Sequence, residues 1–85
     1  MEAELLAYDE ARKAKAPDLQ DQAQGLVERY PETFDVFTGL PLEACVGMVS
    51  AYRAAGRAVE AIAADIWCQA SFGPQTITGT FRMGG

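Results

Sequence analysis

A chain of 85 residues with a net charge of −5 and no histidine excludes a good deal at once. It is too short for more than one core. Its acidic balance also works against sequence-independent binding to phosphate backbones, which needs a surplus of Lys and Arg. The hydrophobic share of 49% is well above that of a disordered tail, so a packed fold is expected.

Without histidine the usual general base, the usual partner of a Ser or Cys nucleophile and the commonest metal ligand are all missing. Two isolated cysteines do not make a zinc site, since structural zinc takes four ligands. The glycines from Gly79 to Gly85 lack the Lys-Ser/Thr ending and the following helix of a phosphate loop. Most carboxylates fall in the first 35 residues, where nine acids face four bases, while acids and bases balance over 36–85. That half reads as a solvated acidic surface in which nothing argues for a raised carboxylate pKa. No catalytic, cofactor-binding or metal-binding residue is therefore expected.

Residues 2–15 are rich in helix formers, and Asp9, Glu10, Arg12 and Lys13 supply ion pairs three and four apart. Leu5, Leu6 and Tyr8 with Ala7 and Ala11 make a short apolar set, which predicts a helix docked by its first two turns and fraying toward Pro17. Pro17 suits the start of a second helix, with Asp18 and Asp21 at the positive end of its dipole. This helix places Leu19, Ala23, Leu26, Val27 and Tyr30 on one face, and Pro31 ends it or opens a new turn. Phe34 and Phe37 then read as anchors of a short helical turn that plugs the core, closed by Thr38-Gly39.

From Pro41 to about Ser71 the sequence reads as one long helix, stopped by Phe72-Gly73-Pro74. Leu42, Cys45, Val49, Tyr52, Gly56, Val59, Ala63, Ile66 and Ala70 recur at alternating spacings of three and four, a narrow seam for a partner helix. The column Gly56, Ala63, Ala70 holds only small residues, which predicts close helix contact there rather than a kink at Gly56. The charged residues Glu43, Arg53, Arg57, Glu60 and Asp65 are expected on the side away from the seam, and Trp67 and Met48 flank it. Arg53 and Arg57 with Glu60 read as a surface ion-pair cluster, not as a DNA-recognition face. Such a rod would span ~46 Å and hold Cys45 and Cys68 ~35 Å apart, too far for a disulfide.

In the last stretch, Ile77, Phe81 and Met83 alternate with Thr76, Thr78, Thr80 and Arg82, the two-residue rhythm of a half-buried strand. With no second strand to pair with, this tail is expected to stay flexible or to order against another chain. The expected organisation is an all-α bundle of about three helices over 1–74, with an extended or flexible tail over 75–85.

The acids of Met-Glu-Ala-Glu at the N-terminus, the unpaired cysteines and the lack of a long uncharged stretch point to a reduced, cytoplasmic setting away from any membrane. The functional expectation is a non-enzymatic interaction module, an assembly factor, adaptor or small subunit. It would associate with itself, as a dimer, or with another protein, through Val49, Tyr52, Gly56, Val59, Ala63, Ile66, Trp67 and Ala70 with Ile77 and Phe81 of the tail. The alternative is a small acidic inhibitor or regulator, of the kind phage or mobile elements encode, whose N-terminal half engages a basic partner site; direct nucleic-acid binding is not expected.

Overall fold

The computed structural model describes residues 1–73, and all of its regular structure is helical. In chain order the elements are α1 (Glu2–Lys13), α2 (Leu19–Arg29), the single turn α3 (Pro31–Phe34) running into a 3-10 turn (Asp35–Phe37), α4 (Leu42–Ala54) and α5 (Ala58–Phe72). The expected C-terminal strand, with Ile77 and Phe81, lies outside the described residues.

Helix α1 carries Glu2 and Glu4 in its first turn and Arg12 and Lys13 in its last, an order that complements the helix dipole. Its first two turns bury Leu5 and Tyr8. Its end is closed and not frayed: Lys15 adopts φ +58° and lets the Ala16 N–H reach back to the Ala11 carbonyl at 3.0 Å. Helix α2 turns Ala23 and Leu26 into the core, with Leu19, Val27 and Tyr30 packed partly against it. The Tyr30 hydroxyl donates to the Glu4 carboxylate and Arg29 pairs with Glu4 at 3.1 Å, tying α2 back to α1. Pro31 opens α3 at its first position, and Phe34 and Phe37 are both buried as plugs of the core.

The long third helix does not exist. The chain breaks at 55–57, where Gly56 takes φ +74° and the Arg57 N–H bonds the Tyr52 carbonyl at 2.8 Å, the closure of a helix stop with glycine in the left-handed position. Helix α5 then folds back to pack on α4. Instead of a ~46 Å rod the molecule measures 36 Å along its longest axis. Gly56 is thus an exposed turn residue and not a point of close helix contact, because a rod would leave most of the seam in water whereas a hairpin buries it within the chain.

Helix α5 is the centre of the molecule. It packs against α1, α2, α3 and α4, and Ala61 to Ile66 form an unbroken buried run, continued by Cys68 and Gln69. A helix enclosed on all sides has no polar face to spare. Asp65, expected on the outer side, is accordingly buried at 6% exposure. Gly73 ends α5 with φ +85°, the expected stop.

Candidate interaction groove

Three of the residues read as interface from the sequence, Tyr52, Val59 and Ala63, meet on one side of the molecule. They line a groove of about 340 Å³ with Met1, Glu2 and Leu5 of α1, Thr33, Val36 and Phe37 of the α3 segment, and Glu60 of α5. That volume is at the low end of the ~300–1,000 Å³ typical of ligand pockets and suits a few apolar side chains of a partner.

The wall made by the α3 segment follows from its tight winding. Phe34 and Phe37 point inward three residues apart, so Val36 is turned to solvent and stands 71% exposed at the rim. Met1, 50% exposed, forms the opposite lip, and its sulfur accepts a hydrogen bond from the Thr33 hydroxyl at 3.1 Å. Phe37 lies between the groove and Trp67, its ring centroid 6.4 Å from the indole. The far end is charged and ordered: the Arg57 guanidinium sits 5.9 Å over the Tyr52 ring and pairs with Glu60 at 2.7 Å. The Glu60 carboxyl is held below the usual range by the backbone N–H of its own helix start and by Arg57.

The remaining residues read as interface are placed elsewhere. Val49 and Ile66 are buried in the chain's own core, Gly56 is in the exposed turn, Trp67 and Ala70 are half-buried on α5, and Ile77 and Phe81 lie outside the described residues. The seam therefore serves chiefly to join α4 to α5. Met1, Leu5 and Val36, which also line this groove, were not among the residues read as interface, and Phe37 was read first as a core anchor. Val36 was legible in principle, since two inward phenylalanines at 34 and 37 force the two residues between them, Asp35 and Val36, outward.

A second polar feature is internal. Asp65 pairs with Arg12 at 3.2 Å and lies 3.8 Å from Arg53, while Arg12 also bonds Asp9 at 2.9 Å. Burial raises the Asp65 carboxyl above the ordinary aspartate range against the pull of Arg12 and Arg53. A raised carboxyl was not expected anywhere in this chain, because the only acids read from the sequence were surface ones. The neighbouring Tyr8 hydroxyl is buried without a hydrogen-bond partner, and its pKa is raised by burial and by Asp65. The cleft beside this cluster is lined by Asp9, Arg12, Lys13 and Arg53, and Asp65 is not among its lining residues.

No family model, curated protein or solved structure matches the chain. Among the described residues no group of His, Cys, Asp and Glu is arranged to hold a metal ion, and no single helix is long and apolar enough to cross a membrane.

Proposed function

We propose that this protein is a non-enzymatic interaction module that receives apolar side chains of another polypeptide in the groove between α1, the α3 segment and the start of α5. A single observation carries the reading: the groove joins an apolar floor of Leu5, Phe37, Val59 and Ala63 to the uncovered side chains of Val36 and Met1. Exposed apolar surface that continues into a concavity is where protein partners dock. The small core of so short a chain favours association as a further source of stability, and a second copy of the chain is the simplest partner.

Val36 gives a clean test because its side chain is mostly in water and contributes little to the core. Val36→Glu should leave helical content and the unfolding midpoint unchanged while abolishing concentration-dependent self-association measured by light scattering over the micromolar range. A wild-type mass of one chain throughout that range would remove the self-association, and association untouched by Val36→Glu would remove the groove.

A further inference from the structure

The fold-back at Gly56 brings together two residues that a continuous helix would hold far apart. Cys45 lies eleven residues before Gly56 and Cys68 eleven after Arg57, so an antiparallel α4–α5 pair sets them opposite one another. Both belong to the same core cluster, at 0% and 1% exposure, and both are free thiols. Across that pair each thiol acts on the ionisation of the other, and the Cys45 thiol donates to the Leu40 carbonyl at 4.0 Å. Side chains set opposite one another in the core between two packed helices come within the reach of a disulfide, which needs ~4–7 Å between Cα atoms.

We infer that Cys45 and Cys68 are a modification site, a dithiol that a peroxide-class oxidant converts to an intrachain disulfide locking α4 onto α5. The Cys45 thiolate attacks one peroxide oxygen, the O–O bond breaks, and the departing hydroxide takes up a proton as water. The resulting sulfenic sulfur is then attacked by Cys68, which forms the S–S bond and releases a second water. Two thiols lose two electrons and two protons, and one peroxide becomes two waters.

The surroundings set the order and the rate. Cys45 is the first nucleophile because Cys68 is the harder of the two to ionise, pushed up to about 12 by burial, by Cys45 and by Asp65. Burial raises Cys45 as well, so the closed fold keeps both as thiols at neutral pH and the reaction proceeds slowly, faster as pH rises. Access comes from α4. It buries Cys45 and Val49 and runs between two glycines at positive φ, Gly39 and Gly56, where the backbone can hinge for local opening.

The experiment treats the reduced, folded protein with millimolar hydrogen peroxide at about pH 8, close to the range where cysteine thiols ionise, and reads intact mass, a non-reducing tryptic map and the thermal midpoint. The expected product has lost two hydrogens, links peptide 30–53 to peptide 58–82 within one chain, and returns to the starting mass with dithiothreitol. Closing the loop between 45 and 68 should raise the midpoint on the order of 10 °C. Cys45→Ala should give none of this product. Retention of both thiols under conditions that oxidise the urea-unfolded chain overturns the inference, as do sulfinic acid at Cys45 or a bond formed only between chains.

Discussion

At the scale of single residues, Asp65 and Arg12 matter most, because a carboxylate at 6% exposure in the central helix is tolerable only while its cation is in place. The two partners should therefore respond unequally to mutation. Asp65→Asn keeps the shape, removes the desolvated charge and leaves Arg12 bonded to Asp9, so it should change stability at neutral pH by less than about 1 kcal/mol. Arg12→Met leaves the carboxylate only its longer contact with the more exposed Arg53, and should cost about 3 kcal/mol, the low end for a broken buried pair. The pH dependence has a definite sign. A carboxyl whose folded pKa is raised binds its proton more tightly in the folded state, so its contribution is full below the ordinary aspartate value of 3.8 and is lost as pH rises through the raised one. The Arg12→Met penalty should accordingly shrink as pH falls through that window, since protonated Asp65 needs no cation. Urea unfolding of wild type and both variants at neutral and mildly acidic pH measures this, and equal costs for the two substitutions would contradict it.

Among the elements, the α4–α5 hairpin decides the architecture, and two glycines in it make opposite predictions. Gly56 stops α4 in a left-handed conformation that costs a side chain about 1–2 kcal/mol. Gly47 sits in the exposed middle of α4 with open space where a Cβ would stand. Gly56→Ala should destabilise by about 1 kcal/mol or more, and Gly47→Ala should stabilise by about 0.5–1 kcal/mol, with no contact changed in either case. Thermal or urea unfolding of the two variants side by side checks the pair. Were α4 and α5 one continuous helix, both substitutions would stabilise.

For the whole molecule, the proposed association turns on which face would carry it. Several acids of the N-terminal half are engaged within the chain, Glu4 by Arg29 and Tyr30, and Asp9 by Arg12 and Lys13, which draws charge away from the face an acidic regulator would use. The groove, by contrast, is mainly apolar. Association through it should persist with little change between low salt and about 1 M salt, where screening shortens to ~3 Å. An acidic-face contact would weaken steeply over the same range. Sedimentation at the two ionic strengths distinguishes them.

Helical content, the inward face of α2 and the Phe34–Phe37 plug were legible in the sequence, because helix propensity, dipole-matched charges and apolar spacing act over a few neighbouring residues; of the apolar set read on α1, Leu5 and Tyr8 are buried while Leu6 and Ala7 are exposed. Leu5, Tyr8, Ala23, Leu26, Phe34 and Phe37 are core residues on that local evidence, and the structure buries each of them. What lay beyond the sequence was the course of the chain between Pro41 and Gly73. A three-and-four rhythm continues in phase through a three-residue turn, so the same letters describe a rod and a hairpin, and only burial of the seam favours the second. From that one fold-back follow the enclosure of Asp65, the meeting of Cys45 with Cys68 and the convergence of Tyr52, Val59 and Ala63 with Val36 and Met1. Each of these joins residues distant along the chain, which no local spacing encodes.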